Sequence, residues 1–488
     1  MFVHDRPLLL FGIGSIFLMS PLQPTVMKFG GTSVEDSTAF RRVAAIVAAR
    51  LDARPVVVVS AMSGMTDALL KSVSMAAEDH PQKASESLHP LFERHLAVAD
   101  QLLAPEQVAG FREAVDHARS EIFRLLNSVS HNWNERSALQ DAVLAFGEML
   151  SSTLLTEILR AQGVDAIAID ARKCIVTDTE HGAASPLPAT VSQTRSVLEN
   201  ALRESRVPVL GGFIGATVEG KTTTLGRGGS DYTAAIIGAA LSAREIQIWT
   251  DVTGALTADP RVVADAMTIR RLSYAEAAEL AYFGAKVLHP KTIQPAVEGE
   301  IPVRICNSRA PEEFGTLVCS ETETAAQTVK AIAHKTGITT VQVSSARMLG
   351  AYGFLRAIFE VFDRHRTVVD VVTTSEVSVS LSLDDSSGLE AIVSELERLG
   401  SVTVETERAM ICVVGAGLRG TPGIAARVFN TISDINVMLI SQGSSAINLT
   451  FVIEERQMGE AVRRLHKTFF EADIRSQVDE LQRMTATT

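Results

Sequence analysis

The run Pro55-Val-Val-Val-Val-Ser60 constrains the fold more than any other stretch of the chain. Four consecutive valines leave no polar residue to face water, so a strand made of them must be covered on both faces. Strands of this kind occur in parallel sheets that carry helices on both sides. We therefore predict an α/β architecture in which ligands bind where the strands end.

Other apolar runs repeat this pattern and alternate with segments of helical periodicity. We predict further strands within residues 26–33, 165–170, 207–214, 245–249 and 301–305, and helices within 66–127, 140–162 and 271–284. Ser273 and Glu276 have the spacing of a capping box at the start of the last helix. Most of the strands run into Gly, Ser, Thr or Asp, as expected for ligand contacts at the ends of strands.

Composition excludes several classes of protein. The chain has 488 residues, enough for about three domains, and 46% of them are hydrophobic. A formal net charge of −12 without a basic run argues against a nucleic-acid partner. The four cysteines lie far apart and show no CxxC spacing, so we expect reduced thiols in a cytoplasmic protein and neither a disulfide framework nor a metal site.

The first 23 residues are predicted to be an N-terminal extension. The apolar run at 8–19 is too short to span a bilayer, and no A-x-A cleavage site follows it. Met19 is our expected initiator, and a disordered or surface-packed extension is the alternative. We expect no membrane association.

The stretch Thr224–Leu241 has the composition of an anion-binding loop. Its three glycines permit positive φ and close backbone approach, and the apolar run that follows reads as a buried helix. Ser230 and Asp231 are good N-cap residues for this helix. The helix start suits a phosphate or a carboxylate, and Arg227 could bind a carboxylate with two hydrogen bonds.

Residues 215–222 match the phosphate-binding pattern G-x-x-x-x-G-K-T. That pattern requires a helix to begin at the Lys-Thr pair. Here Lys221 leads into three threonines and then glycine, so we predict a hairpin instead.

The polar segment 321–327 is predicted to be a linker, beyond which the pattern changes to short strand and helix units. The stretch 353–362 is similar to 423–432, an offset of about 70 residues that fits one βαββαβ module. We predict two tandem copies that pack on each other or on a second subunit, because modules of this size bury little core alone.

Seven segments together resemble the monofunctional aspartate kinases of the amino-acid kinase fold. They are KFGGTS (28–33), SAMSGMTD (60–67), FGEMLS (146–151), TLGRGGSDYTA (224–234), WTDVTG (249–254), TADPR (257–261) and FGAKVLHP (283–290). The resemblance covers residues 25 to about 475, and the two C-terminal modules resemble tandem ACT domains. It implies a catalytic domain at 24–320 with a mainly parallel sheet sandwiched by helices, followed by ferredoxin-like ACT domains at 335–405 and 408–478.

The resemblance implies ATP-dependent phosphorylation of the L-aspartate side-chain carboxylate to 4-phospho-L-aspartate. This is the first step of the aspartate-family route to lysine, threonine and methionine. Because the acceptor is already ionised, no general base is needed, and positioning and charge neutralisation carry the catalysis. No carboxylate cluster has the spacing of a dedicated metal cage, so we expect Mg²⁺ to arrive bound to ATP.

The family pattern also implies residue roles. Catalytic roles fall to Lys28, Asp231 and Lys286, and substrate contacts to Thr66, Glu148, Arg227 and Ser230. ATP contacts fall to Lys28, Gly30, Gly31, Thr250, Asp251, Arg261 and Lys286. Either Glu148 or Asp231 could receive the substrate ammonium, and the sequence does not decide between them.

The first C-terminal copy resembles the family's effector-binding module. Its candidate effector residues are Met348, Gly353, Phe354, Leu355, Asp370, Thr374 and Ser375. Asp370 could bind an ammonium, whereas the matching position in the second copy is Met438. Lysine is the favoured effector, although Ala351 replaces a serine of some lysine-sensitive relatives. We expect a homo-oligomer, with a dimer formed through the ACT domains.

Two alternatives stay open on the sequence. Another member of the same fold could act on glutamate, acetylglutamate, carbamate or UMP. A catalytically silent amino-acid sensor would use only the C-terminal modules, but it would have no need for both lysines, Glu148, Arg227 and Asp231.

Overall fold

A computed structural model describes residues 23–283, 288, 290–320, 328–350, 352–443 and 445–471, apart from the side chain of Trp133. The predicted N-terminal extension up to residue 22 and the predicted linker at 321–327 lie outside these residues.

The N-terminal half contains eleven strands in its described part. They are β1 (Thr25–Phe29), β2 (Pro55–Val59), β3 (Ala166–Ile169), β4 (Val176–Thr177), β5 (Val207–Gly211), β6 (Ile214–Thr217), β7 (Thr222–Thr224), β8 (Glu245–Thr250), β9 (Arg271–Ser273), β10 (Val303–Asn307) and β11 (Thr316–Cys319). Eight of them form one sheet in the order β3-β5-β2-β1-β8-β10-β11-β9. Only the β10–β11 pairing in this sheet is antiparallel, so the predicted mainly parallel sheet is confirmed.

Helices cover both faces of this sheet. They are α1 (Ser37–Ala48), α2 (Met65–Ala77), α3 (Pro81–Ser87), α4 (His89–Leu102), α5 (Pro105–His131), α6 (Arg136–Ala161), α7 (Ala189–Arg203), α8 (Gly229–Leu241), α9 (Tyr274–Tyr282) and α10 (Pro290–Glu298). Val57 and Val59 pack with the first six of these helices, whereas Val56 and Val58 face the core shared with α7, α8 and α10. The valine run is therefore buried on both sides, as predicted.

Two local predictions are settled by these elements. The P-loop-like segment forms the β6–β7 hairpin, as expected. The helix predicted to begin at residue 271 was placed too early, because Arg271–Ser273 pair with β11 as a strand. Ser273 is the N-cap of α9, and its capping box with Glu276 is confirmed.

Helix α6 is long and apolar enough to cross a membrane by length and composition. Inside the fold, 72% of its apolar window is buried, as is typical of the core helix of a globular domain. Its buried residues pack against α2, α4 and α5 in the main core.

The C-terminal half forms a second sheet. Its elements are β12 (Ala331–Ser344), α11 (Phe354–Arg364), β13 (Val372–Thr374), β14 (Ser378–Leu383), α12 (Leu389–Leu396), β15 (Ser401–Val414), α13 (Ile424–Thr431), β16 (Leu439–Gln442), β17 (Asn448–Glu454) and α14 (Met458–His466). Within the described chain the strand order is β13-β14-β12-β15-β17-β16. Gly353 and Gly423, 70 residues apart, cap α11 and α13 with the same left-handed backbone, as the sequence repeat predicts.

The two long strands β12 and β15 belong to both copies. Residues 339–344 pair with β14 in the first copy, whereas residues 331–335 pair with 410–414 beside the second copy. The second copy therefore takes a neighbouring strand from a segment that precedes the first copy in the chain. The boundaries 335–405 and 408–478 stay a prediction. The pairing adds residues 331–335 to the sheet of the second copy.

Helix α9 of the N-terminal half lies against the C-terminal sheet. Its apolar residues Ala277 and Leu280 share a core with Met410 and Val452. Polar contacts follow the length of the helix: Glu276 pairs with buried Lys330 at 3.1 Å, Glu279 accepts from Asn448 at 2.9 Å, and Tyr282 donates to Asp370.

Candidate active site

A cavity of about 510 Å³ opens at the carboxyl ends of β1, β2 and β5. It is lined by seven residues that the sequence singles out: Lys28, Gly31, Thr66, Glu148, Arg227, Ser230 and Asp231. They come from four separate segments of the chain, so the parallel sheet assembles them as the strand-end argument predicts.

Lys28 and Asp231 form an ion pair inside the cavity. Lys28 lies in β1 one residue before its end, and its Nζ is 2.5 Å from an Asp231 carboxylate oxygen. Both side chains are largely buried, with 11% and 19% of their surface exposed. The ion pair holds the ammonium at the end of the strand, where it lines the cavity.

The glycine-rich loop begins α8 differently from the sequence prediction. Gly228, at φ 71°, is the N-cap, and no side chain caps the helix. The prediction of Ser230 and Asp231 as N-caps was wrong, because a left-handed glycine starts the helix earlier and places both residues in its first turn. Asp231 is thereby free to bind Lys28.

Glu148 is a buried carboxylate with an unsatisfied oxygen. Its Oε1 accepts a hydrogen bond from the Ala61 N–H at 3.2 Å, and its Oε2 has no hydrogen-bond partner among the described residues. Burial raises the pKa of Glu148 to about 8, and the Ala61 hydrogen bond opposes this shift only in part. A buried polar atom without a partner is costly, so this oxygen indicates a ligand that donates a hydrogen bond.

Arg227 and Thr66 complete the wall of the cavity. Arg227 is exposed, and no ion pair holds its guanidinium among the described residues. Thr66 is half-buried in the first turn of α2, a helix that begins at Gly64 with φ 79°. The cavity is thus lined by an accessible cation, Arg227, and a buried acceptor, Glu148, from separate segments of the chain.

The structure brings some of the predicted ATP residues to the same sheet edge. The Gly30 N–H donates to the Trp249 carbonyl at 3.1 Å, which places Gly30 beside the end of β8 where Thr250 and Asp251 follow. Thr250 donates to Asp251 at 3.1 Å. Neither of these two residues lines the cavity.

The structure does not bring Arg261 to the cavity. Arg261 is 87% exposed and pairs with Asp259 at 2.6 Å, and its segment packs on the core of the second C-terminal copy. Lys286 lies outside the described residues.

The candidate effector residues lie around the first C-terminal copy. Met348 and Phe354 pack against its core, while Leu355 is exposed beside Gly353. Asp370 is half-buried next to a cavity under α9 and accepts a hydrogen bond from the Tyr282 hydroxyl. Thr374 and Ser375 lie at the exposed end of β13.

Sequence reasoning missed the residues that shape the back of the cavity. A Cβ placed on Gly212 would lie 2.6 Å from the Ser230 Cβ, and one on Gly211 would lie 2.9 Å from the Glu148 Cβ. These two glycines at the end of β5 let α6 and α8 approach. The pair Gly211-Gly212 at the end of an apolar strand was the available signal.

Comparison with known proteins follows the same division of the chain. The model of the amino acid kinase family matches residues 23–307, and an ACT domain model matches residues 411–469. Lysine-sensitive aspartokinase 3 of Escherichia coli K12 is 38% identical over 460 residues, which are 91% of this chain and 99% of that protein. The chain belongs to the aspartokinases.

Plant and structural relatives agree with this assignment. Chloroplastic aspartokinase 1 of Arabidopsis thaliana is 36% identical over 92% of this chain and 80% of its own length. Crystal structures of E. coli aspartokinase III match over 92% of this chain. The complex with lysine and aspartate (T-state) covers 99% of that chain with a TM-score of 0.78 and 38% identity. The complex with aspartate and ADP (R-state) covers 100% with a TM-score of 0.75 and 37% identity.

Membership in the aspartokinases confirms the predicted family, fold class and enzyme class. The aspartokinase reaction is the ATP-dependent phosphorylation of the aspartate side chain, and the ACT domain match agrees with regulation by an amino acid. The individual site residues stay predictions that the geometry above supports.

Proposed function

We propose that this aspartokinase binds L-aspartate between Arg227 and Glu148. The observation that carries the proposal is the pairing, in one cavity, of an accessible guanidinium with a buried carboxylate that has an unsatisfied oxygen. A guanidinium fits a carboxylate with two hydrogen bonds, and a buried carboxylate fits an ammonium. Asp231 is already paired with Lys28, which favours Glu148 as the acceptor of the substrate ammonium.

The phosphoryl group transfers at the Lys28 end of the same cavity. A side-chain oxygen of aspartate attacks the γ-phosphorus of MgATP, the bond to the β–γ bridging oxygen breaks, and ADP leaves. The Lys28 ammonium neutralises charge on the transferring group. We assign Gly30, Gly31, Thr250, Asp251, Arg261 and Lys286 to the nucleotide, following the family pattern. Mg²⁺ enters with ATP as part of this substrate.

Trapping of the acyl phosphate tests the reaction. Purified enzyme, MgATP and hydroxylamine should give aspartyl hydroxamate only when L-aspartate is present. Glutamate, acetylglutamate and carbamate serve as competing acceptors for the alternative reactions of the fold. Lys28→Ala should lower kcat at least ~100-fold, as expected when a charge-stabilising donor is removed. Unchanged turnover in that variant would refute the assignment.

Regulation by lysine is the second part of the proposal. A relative of this chain is named lysine-sensitive, and its structure was solved with lysine. Asp370 offers a carboxylate whose Oδ2 has no hydrogen-bond partner among the described residues. A lysine ammonium can bind this oxygen, while Oδ1 accepts from the Tyr282 hydroxyl. Asp370→Asn keeps an acceptor for Tyr282 and removes the charge, so it should relieve inhibition by lysine while uninhibited turnover stays near normal. Asp363→Asn is the matched control, because Asp363 is exposed on α11.

Assembly into a homodimer through the first ACT copy fits its surface. Large apolar side chains are exposed there on one stretch of chain: Leu349, Tyr352, Leu355, Phe359, Val368 and Val377. Apolar surface of this extent is typical of an interaction site. Sedimentation of the full chain, with and without lysine, measures the assembly. A cytoplasmic location agrees with the three buried thiols Cys174, Cys306 and Cys412.

A further inference from the structure

A fully buried carboxylate outside the predicted site ties three cavity segments together. Asp141 lies on α6, seven residues before Glu148, and none of its surface is exposed. Its Oδ1 accepts from the Thr224 hydroxyl at 2.6 Å, and its Oδ2 accepts from the Thr224 N–H at 3.1 Å. Oδ2 also accepts from the Gly182 N–H at 3.0 Å and lies 2.9 Å from His181 Nδ1.

These hydrogen bonds end in two segments that line the cavity. Thr224 is the last residue of β7, three residues before Arg227, and it begins the glycine-rich loop. Gly182 lies so close to that loop that a Cβ on Gly226 would meet its carbonyl oxygen at 3.2 Å. The Ala184 N–H donates to the Thr224 carbonyl at 2.9 Å, so the segment that carries Gly182 is also bonded directly to the start of the loop.

Asp141 and Glu148 lie two turns apart on the same helix, so they share one face of it. The helix therefore carries both the acceptor assigned to the substrate ammonium and the anchor of the loop that carries Arg227. The hydrogen bonds to Asp141 therefore tie the loop that carries Arg227 to the helix that carries Glu148.

We propose that Asp141 is a positioning residue for aspartate recognition, acting through Thr224 on Arg227. The inference rests on the proposed binding of L-aspartate by Arg227. Asp141 does not touch the substrate. Its carboxylate accepts from four donors, and this demand cannot be met by an amide, because one end of an amide is itself a donor.

Asp141→Asn should therefore loosen the loop. We expect the KM for aspartate to rise ~10-fold or more, as when a charged hydrogen-bond acceptor is lost, while the KM for ATP and kcat change far less. Asp178→Asn is the matched control. Asp178 lies in the segment that also carries Gly182, and among the described residues its side chain accepts from the Glu180 and Ser185 N–H groups, both at 3.1 Å.

Thr224 variants keep the test valid if Asp141→Asn fails to fold. Thr224→Ser retains both donors and should behave as wild type. Thr224→Val loses the hydroxyl and keeps the N–H, so it should raise the KM for aspartate by a smaller factor than Asp141→Asn. Equal behaviour of the two Thr224 variants would contradict the proposal.

A double-mutant cycle separates positioning from general destabilisation. In an Arg227→Ala background, Asp141→Asn should add no further increase in the KM for aspartate, because the group it positions is gone. A full additional increase in that background would overturn the proposal.

Hydrogen exchange gives a readout that does not depend on the substrate. The amides of Thr224 and Gly182 should exchange faster in Asp141→Asn than in Asp178→Asn. Unchanged exchange would refute the anchoring, even with aspartate kinase activity intact. If wild-type enzyme makes no aspartyl phosphate, the proposed function fails, and the exchange result still decides the role of Asp141 in the loop.

Discussion

Binding of aspartate should release a proton from Glu148. This carboxyl is buried and has a pKa of about 8, so at neutral pH it is mostly protonated. An ammonium can pair only with the ionised form. Because only the ionised fraction of the enzyme is competent, the apparent affinity for aspartate is reduced by that fraction.

The expected magnitude follows from the pKa. With a value of about 8, the ionised fraction is roughly 1% at pH 6 and roughly 50% at pH 8, so the Kd for aspartate should fall about 50-fold over this range. Calorimetric titration in buffers of different ionisation enthalpy should show nearly one proton released per aspartate bound at pH 6.

Glu148→Gln separates this mechanism from other pH effects. The Kd of the variant should be independent of pH and weaker than wild type at pH 8 by ~10- to 100-fold, as expected for loss of a charged hydrogen bond. Glu157→Gln is the matched control, since Glu157 lies on the same helix and pairs with Arg160 near the surface. A flat pH dependence in wild type, or wild-type affinity in Glu148→Gln, would refute the reasoning.

The same group affects stability with a defined sign. Its folded pKa is raised above the unfolded value near 4.5, so stability is lost as pH rises from 4.5 towards 8. Between pH 4.5 and pH 7 the wild type should lose about 3 kcal/mol through this group, as an upper bound from the linkage relation. Glu148→Gln should escape this loss, which urea unfolding at the two pH values measures.

Three further changes follow from particular contacts. Arg227→Lys keeps the charge and loses the two-bond geometry, so it should raise the KM for aspartate ~10-fold or more and leave the KM for ATP unchanged. Arg261→Lys should leave the KM for aspartate unchanged. Equal effects of the two substitutions on this KM would contradict the assignment of Arg227. Gly212→Ala should destabilise the enzyme by ~1–3 kcal/mol through overpacking. Gly110→Ala, in open space on α5, should instead stabilise it by ~0.5–1 kcal/mol. Thermal unfolding distinguishes the two variants, and equal shifts in Tm would count against the close approach of Gly212 to Ser230. Tyr282→Phe leaves Oδ1 of Asp370 without its donor, so that both carboxylate oxygens can accept from a lysine ammonium. Half-inhibition by lysine should then occur at ~3- to 10-fold lower concentration, the worth of one hydrogen bond. A higher concentration would show that the hydroxyl assists the effector instead.

Much of the catalytic fold follows from local pattern. A run of four valines demands cover on both faces, and strand ends rich in Gly, Ser and Thr indicate where ligands bind, so the position of Lys28 at the end of β1 could be predicted. Asp141 could not be found in this way, because its partners lie 40 and 83 residues away. The start of α8 was misassigned because Ser and Asp are better N-caps than Gly on average, whereas here the left-handed backbone of Gly228 begins the helix.

In the C-terminal half, too, contacts between residues far apart in the chain could not be predicted from the sequence. Sequence repetition predicts two tandem copies, and it carries no signal for the partner of residues 331–335. Only strand pairing across about 80 residues reveals that partner.

The strand supplied to the second copy has a consequence for how the regulatory half can be dissected. A fragment that begins at residue 408 would keep α13, α14 and their strands but would leave one edge of β15 bare. Bare strand edges invite aggregation. Residues 331–335 must also wait for the chain up to 414 to be synthesised, so the second copy is completed with a segment made before the first copy. The smallest portion of this half suited to separate expression therefore starts ahead of residue 331 and contains both copies.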